Sequence, residues 1–490
     1  MDTLSTLIQK VNTKTKNSPI FFATNDAERA LGLEKLLNNY HIICIDENDI
    51  VDYLEKDNVK IFCLEKKLGK LNGIFRNSNR LLNHKFTTEY ISSKTKNIGY
   101  LMFFKIAPNL ERTANKLGFK ILNTTSELNR KFELKLSQYD AIKDINIRLP
   151  KTEIIVLKDG DFDNLTKSLG KNFIVQFNRG HTGGGTIEID SKVKFDELIH
   201  IYPNREVKAT KQIYGPAYTL NACITKYGIY WGGLSYQMTG VEECTSEKLA
   251  TVGNDWLYPK NLSKTIHDKI GKFTDIIGQE MSKHGFRGMF GLDIVIDRET
   301  NLPHVIEINA RQPASMSMFT KLQLLKKQIP LNLLAIAEFL DIDYKIDIED
   351  YNKNASSYFK ASQLFIRNRL DNPAKVIGGV KVGAYRLVGD NSAYNWNKGK
   401  PKLKTNVIII DEEKDKPLIL DSEAYAIDNV RAGILILCVK ESKVVSPNSE
   451  VARIQTKQSL LDKDGKLTVL TKEVVKGLNK YIVLKELDND

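Results

Sequence analysis

Several signals that would assign this chain to a class at once are missing from it. Its five cysteines (Cys44, Cys63, Cys223, Cys244 and Cys438) are odd in number and form no CxxC pair. That argues against a zinc site and a disulfide framework, and it fits a reducing compartment. No stretch approaches the ~18 uninterrupted apolar residues of a membrane-spanning helix. The polar segment 1–16 has no apolar heart of the kind a signal peptide needs. A soluble, cytoplasmic protein is the expectation. Lysine and arginine (72) exceed aspartate and glutamate (60), for a net charge of +12. The excess is spread along the chain, and no basic run interleaved with aromatics gives it a nucleic-acid footprint. A basic surface suits a small phosphorylated molecule equally well. Internal repeats and low-complexity tracts are also absent.

What is present is an ordinary globular balance, 42% hydrophobic and 27% charged, over 490 residues. That length exceeds one ordinary core and predicts two to four domains. From 19 to 123, short apolar runs at 20–23, 41–45, 59–64, 100–105 and 119–122 read as strands. Helical spacing lies between several of them, at 26–39 and 109–117, and this alternation predicts a mostly parallel α/β unit. The segment 66–96 is polar and irregular. Ser126 is placed to cap a long helix reaching 144, with Lys131 and Lys135 on one face at i, i+4 spacing. Strands follow at 153–157 and 173–177, then a glycine-rich turn and a helix at 192–201. Three strand-like runs lie between 207 and 237, a long amphipathic helix at 262–283, a hairpin at 286–309, and two helical stretches reach about 340. The polar stretch 351–357 reads as a linker. Beyond it, short β-type runs such as 407–410 and 433–439 indicate a separate β-rich α+β unit.

Chemistry concentrates in GMFGLDIVIDRETNLPHVIEINAR, residues 288–311. With Thr300 at the turn centre, paired positions sum to 600, and Asp293 lies directly opposite Glu307. Strand alternation places Asn309 and Arg311 on the face of Glu307, with Ile306 and Ile308 pointing away. Two acids directly opposed on a sheet repel, and a cation between them relieves the repulsion. Two carboxylates and an amide oxygen suit magnesium, which completes its shell with water and substrate phosphates. Arg311 could then stabilise a developing anion. A solvated hairpin face carrying the same charges is the competing reading.

A second element is RGHTGGGT, 179–186. Gly183, Gly184 and Gly185 let backbone N–H groups come close to phosphate oxygens. No Gly-Lys-Ser/Thr follows, so it is not a P-loop, and no helix opens there as a dinucleotide fingerprint requires. A plain hairpin tip competes, and His181 within it is ambiguous. Lys135, a lone helical lysine, carries little information by itself.

Taken in order, these segments resemble the ATP-grasp superfamily: Lys135 ahead of KLSQYDAIKDINIRLPKT, the strand and loop FIVQFNRGHTGGGT, the hinge TKQIYGPAYTLN, and the closing motif GMFGLDIVIDRETNLPHVIEINAR. The resemblance spans about 126–340. It implies an α/β and α+β multidomain fold: a pre-ATP-grasp parallel α/β domain (1–125), an ATP-grasp domain (126–350) and a β-rich C-terminal domain (356–490). It implies that Lys135 contacts ATP phosphate, that the loop 183–185 closes over the phosphates, and that the backbone of Lys211 and Ile213 meets adenine. Asp293, Glu307 and Asn309 would hold Mg2+, and Arg311 would face the acyl-phosphate or its precursor. Two departures stand out. Gln176 occupies a position where the family usually has a second ATP lysine, and Thr210 and Ala217 occupy positions of usual glutamates. Gln176 can donate a hydrogen bond but brings no charge, and charge-assisted bonds are roughly twice as strong. Arg179 or His181 would have to compensate.

The implied chemistry is an ATP-dependent ligase reaction. A substrate carboxylate becomes an acyl-phosphate, and an amine then displaces phosphate. Positioning and charge neutralisation carry such a step without a protein nucleophile, and no GxSxG elbow is present. The partners are a small-molecule carboxylate and an amine, with a homodimer allowed for, and neither nucleic acid nor membrane. Three rivals are a biotin-carboxylase-like enzyme using bicarbonate, a non-catalytic nucleotide-binding module, and a basic nucleic-acid-binding protein. Arg367, Arg369 and Arg386 in the C-terminal segment could meet a substrate carboxylate, or could be ordinary surface arginines.

Overall fold

The computed structural model describes residues 1–69, 76–95, 99–179, 185–385 and 434–487, with short strand segments at 410–411, 416–417 and 419–421. Strands β1 (Ile20–Thr24), β2 (Tyr40–Cys44), β3 (Ile61–Cys63), β4 (Tyr100–Phe103) and β5 (Lys120–Ile121) form a parallel sheet in the order β3-β2-β1-β4-β5. β1 and β2 are buried along their whole length, as expected of parallel strands covered on both faces. The strand order reverses at β1, and the loops beyond β1 and β4 flank the crevice this creates.

The helix expected over 26–39 does not form. A short 3-10 turn, Ala27–Ala30, is followed by irregular chain. Gly32 shows why: its φ is +117°, and a Cβ there would lie 2.5 Å from Thr320 Cγ2. Only glycine accepts that backbone and that contact. The result keeps Asp26, Glu28 and Arg29 on a loop facing the crevice. Within 66–96, the described parts form short helices at Leu64–Leu68, Ser78–Asn83 and Lys85–Lys94.

The long helix expected over 126–144 is two helices, Ser126–Glu133 and Lys135–Ile142, broken at Leu134. Thr125, not Ser126, caps the first, accepting from Leu128 N. The break has a local cause. Asn178 meets the start of the second helix, its carbonyl accepting from Lys135 N (3.4 Å) and its side chain from Leu136 N (3.2 Å). Lys131 and Lys135 therefore do not share a face. Lys131 reaches His284, whereas Lys135 reaches Glu307.

An antiparallel sheet follows: β6 (Thr152–Val156), β7 (Phe173–Phe177), β8 (Thr186–Ile189) and β9 (Glu206–Lys211), in the order β6-β9-β7-β8. The largest sheet contains β10 (Ala217–Thr225), β11 (Gly228–Thr239), β12 (Thr251–Asp255), β13 (Gly288–Ile296), β14 (Pro303–Asn309) and β15 (Ser362–Arg367), in the order β14-β13-β10-β11-β12-β15. It continues without a break through Glu450–Thr456, Ile434–Cys438, Gly383–Tyr385 and Ile419–Asp421. The C-terminal strands thus extend the central sheet. Helix Lys264–Lys283 buries Ile266, Ile270, Ile277 and Met281 in the core with Leu220, Phe290, Leu292 and Ile308. That is one apolar stripe of a period-3.6 helix.

The stretch 351–357, read as a polar linker, belongs mostly to helix Ile348–Ala355. Asn352 accepts from Trp231 N (2.9 Å) and donates to Ile229 O (3.1 Å), and buried Tyr351 donates to Ile329 O (2.8 Å). Asn352 is thus satisfied inward, on β11, while Lys353 and Asn354 remain exposed. The expected strand 407–410 falls outside the described residues except for its last position, and 433–439 forms the strand Ile434–Cys438. Among the described residues, no helix is long and apolar enough to cross a membrane.

Candidate active-site cleft

A cavity of about 1280 Å³ opens where the three sheets meet. Its walls come from the loops after β1 and β4, the start of helix Lys135–Ile142, β7, β8, β10, β13, β14 and the C-terminal strands. Asp293, Glu307, Asn309, Arg311, Lys135 and Gln176 all line it.

Asp293 on β13 pairs directly with Glu307 on β14, and Gly291 with Asn309. Both pairs obey the sum of 600. Beyond Asp293 the register slips, and Ile294 pairs with Val305. Ile306 is the extra residue of this bulge. A bulge re-aims a side chain, and Ile306 lines the cavity beside Glu307 instead of turning away with the fully buried Ile308.

Asp293 is ringed by donors, whereas Glu307 has one cationic partner. Asp293 Oδ1 accepts from Thr219 Oγ1 (2.9 Å) and Gln237 Nε2 (2.7 Å), and its Oδ2 accepts from Asn309 Nδ2 (3.0 Å). Glu307 is ion-paired with Lys135, whose side chain is only 7% exposed. Burial, then the nearby Glu307 charge, pushes the Asp293 carboxyl up to about 6 against the pull of these donors and of Lys135.

Arg311 is held from behind. Its Nε donates to Glu133 Oε1 (2.9 Å) and its Nη2 to Asn309 Oδ1 (2.7 Å). Glu133 also accepts from Lys105 Nζ (2.8 Å) and from Ala310 N (2.9 Å). Burial alone would raise the Glu133 carboxyl, but Arg311 and Lys105 outweigh it and hold it down at about 2. The Arg311 guanidinium lies 5.3 Å from the centre of the Phe104 ring, and that of Arg29 lies 5.0 Å from it. Two arginines therefore share one aromatic platform, a cation–π arrangement.

The far end of the cavity is closed by paired charges. Arg453, 1% exposed, is ion-paired with Glu28 and forked onto Glu450 (2.7 and 2.9 Å). Lys443 bridges Asp46 (2.9 Å) and Glu65 (2.6 Å). Arg367 lines the cavity and donates to the carbonyls of Asn448 and Thr251, whereas Arg369 donates to Glu242 O at the surface. Arg386 lies outside the described residues.

The remaining sequence-predicted positions are spread more widely. Gly185 closes the β7–β8 hairpin at φ +86°, its carbonyl accepting from Phe177 N (2.9 Å). Gly183, Gly184 and His181 lie outside the described residues. Gln176 is 6% exposed and donates weakly to Thr186 Oγ1 (3.4 Å). Lys211 N donates to Lys151 O at the exposed end of β9, and neither Lys211 nor Ile213 lines the cavity. Glu133, Lys105, Phe104, Arg29, Thr219, Gln237 and Lys208 escaped the sequence reading. A faint signal existed for three of them. Thr219, Gln237 and Lys208 are polar residues that alternate with apolar neighbours along their strands, where burial without a purpose is costly.

The residues present fit a magnesium ion. Among the described residues no cluster of three or more His, Cys, Asp or Glu side chains occurs. An opposed pair of carboxylates suits a cation that takes its other ligands from water and phosphate. Burial first and the Glu307 charge second raise the Asp293 carboxyl, and a cation bound at the pair would oppose both.

No family model matches the chain, and no curated protein matches it in sequence. Solved structures do. Carboxyaminoimidazole ribonucleotide synthase from Aspergillus clavatus, in complex with ATP, superposes with a TM-score of 0.52 at 12% identity, covering 95% of this chain and 99% of that one. Biotin carboxylase from Campylobacter jejuni gives 0.55 at 12% identity, over 96% and 92%. Phosphoribosylamine–glycine ligase from Thermotoga maritima gives 0.53 at 10% identity, over 96% and 98%. The chain has the ATP-grasp fold. Within it, β6–β9 form a separate four-stranded sheet, and β10–β14 form the half of the large sheet that carries the paired acids.

Proposed function

We propose that this chain is a cytoplasmic ligase that uses ATP and magnesium to activate a small-molecule carboxylate and join it to an amine. The observation that carries the reading is the direct opposition of Asp293 and Glu307 within reach of Lys135 and Arg311. The cavity volume is ample for a nucleotide and a second substrate together. The division into 1–125, 126–350 and 356–490 belongs to this reading, with each part contributing a wall of the cleft.

In this scheme Asp293, Glu307 and Asn309 would hold the ion, with the Asn309 amide oxygen released from Arg311 to do so. Bound magnesium supplies neutralisation of the phosphoryl charge. Lys135 exchanges Glu307 for a nucleotide phosphate oxygen. The substrate carboxylate oxygen attacks the γ-phosphorus, and ADP leaves with the bridging oxygen. Arg311, backed by Glu133 and Lys105, offers its outer N–H groups to the acyl-phosphate. The amine nitrogen then attacks the acyl carbon, phosphate departs, and the nitrogen loses a proton. Arg311, fixed in advance by Glu133, meets the developing charge with little reorganisation of its own. Gly185 and its neighbours are assigned to the phosphate lid, Gln176 to a hydrogen bond with the nucleotide, and the backbone of Lys211 and Ile213 to adenine.

The test is phosphate release from Mg-ATP with pooled carboxylates and amines, with bicarbonate as a separate arm, repeated with Glu307→Gln. Turnover that needs a carboxylate and an amine, and is lost in the variant, supports the ligase. Turnover with bicarbonate alone assigns a carboxylase instead. Tight Mg-ATP binding without turnover in any pool assigns a non-catalytic module.

A further inference from the structure

Lys208 is a buried ammonium without an acid of its own. It sits in the middle of β9, 6% exposed. No carboxylate lies within ion-pair distance of it among the described residues, and its nearest aromatic contact is the Tyr139 ring at 5.9 Å. Its position on the sheet fixes where it points. Lys208 pairs directly with Gln176 on β7 and with Ile154 on β6. Directly opposed residues of an antiparallel sheet project from the same face, and Gln176 lines the cleft. Lys208 therefore projects toward the cleft floor, where the charges of Lys135 and Glu307 reach it.

The groups around it are few. Helix Lys135–Ile142 brings Lys135 and Tyr139, β14 brings Glu307, and the neighbouring strands bring the uncharged Gln176 and Ile154. Two ammonium groups thus share one carboxylate, and Lys135 already takes it. Burying an unmatched charge is expensive. Burial, and then Lys135, pull the Lys208 ammonium down to about 8, with Glu307 opposing. Lys208 is thus without a carboxylate partner on the wall that faces the paired acids.

We propose that Lys208 is a phosphate-binding residue: it receives a non-bridging oxygen of the nucleotide polyphosphate and supplies the positive charge that Gln176 opposite it does not bring. The inference rests on the nucleotide reading above. A polyanion entering between Lys135 and Lys208 relieves their repulsion and frees Glu307 for a cation. The unliganded ammonium is partly deprotonated near pH 8, and the liganded one is fully protonated, because a nearby anion favours the charged form.

The experiment is isothermal titration of the full-length protein with Mg-ATP and with AMP at pH 8, in two buffers of different ionisation enthalpy. Wild type takes up about half a proton per Mg-ATP and close to none with AMP. Lys208→Met lowers Mg-ATP affinity about tenfold or more, leaves AMP affinity within about twofold, and abolishes the uptake. Lys208→Arg restores Mg-ATP affinity without proton uptake, because arginine stays charged. Equal loss of ATP and AMP affinity in Lys208→Met, or an unchanged uptake, overturns the assignment to Lys208 while leaving nucleotide binding standing. Failure of wild type to bind Mg-ATP overturns the nucleotide reading itself. The wild-type proton count stands even where a variant folds poorly.

Discussion

The hairpin β13–β14 and the strand pair β7–β9 form two walls of one cleft with opposite shortages. The hairpin puts Asp293 against Glu307 and then surrounds both with donors: Thr219, Gln237, Asn309 and Lys135. Its acids are held in place, yet the Asp293 carboxyl is still pushed to about 6. The strand pair offers the reverse, a buried ammonium on Lys208 with a neutral glutamine opposite it. One wall lacks a cation and the other an anion. A magnesium–polyphosphate complex supplies both at once. At the far end of the cavity, by contrast, each buried cation is held directly by carboxylates, Arg453 by Glu28 and Glu450, and Lys443 by Asp46 and Glu65.

That contrast can be broken by substitution. Glu307→Gln removes a charge from the site, and activity should fall on the order of 100-fold or more in kcat/KM, while the loss of the Lys135 partner should lower the denaturation midpoint less than the Arg453 variant does. Arg453→Met should do the reverse. It leaves the buried Glu28 and the part-buried Glu450 without their arginine, and loss of one partner of a buried pair costs about 3–5 kcal/mol, read as a lower denaturation midpoint. If instead Glu307→Gln unfolds the protein and Arg453→Met only slows it, the division between binding and structural charge is wrong.

Glu133→Gln lies between these cases. It keeps the shape beneath Arg311 but removes the charge that Arg311 and Lys105 share. We expect a loss of stability of about 2–3 kcal/mol at pH 7 and a fall in kcat with little change in KM for ATP. The sign follows from its carboxyl being held at about 2 against an ordinary 4.5. Its contribution is complete above about 4.5 and is lost as pH falls toward 2. Asp293 behaves oppositely. Protons compete with magnesium for its carboxylate below about 6, so apparent magnesium affinity should drop by up to about tenfold per pH unit there, measurable by titration between pH 5 and 7. The smallest effect is expected at Lys211→Ala, whose exposed side chain does not reach the cavity. Only its backbone is assigned a role, and KM for ATP should change less than about twofold.

The site hairpin was legible because it is local. A two-residue period and a turn centre were enough to oppose Asp293 and Glu307, and only the bulge at Ile306 was hidden. Most of the strand and helix order from 152 to 340 was readable in the same way, since periodicity survives without tertiary context, but β12 was not. The rest depended on partners far away in sequence. The break at Leu134 needs Asn178, the irregular 26–39 needs Thr320 against Gly32, and helix Ile348–Ala355 needs the backbone of β11. Glu133 looks like any helical glutamate until Ala310 N and Arg311 arrive from 177 and 178 residues away.

The most direct test is to follow Mn2+ in place of magnesium by electron paramagnetic resonance, titrating Mn2+–ATP into wild type and Glu307→Gln. The account predicts a protein-bound Mn2+–ATP signal in wild type and at least about tenfold weaker binding in the variant. Equal binding by the two proteins would mean that the opposed acids do not hold the ion.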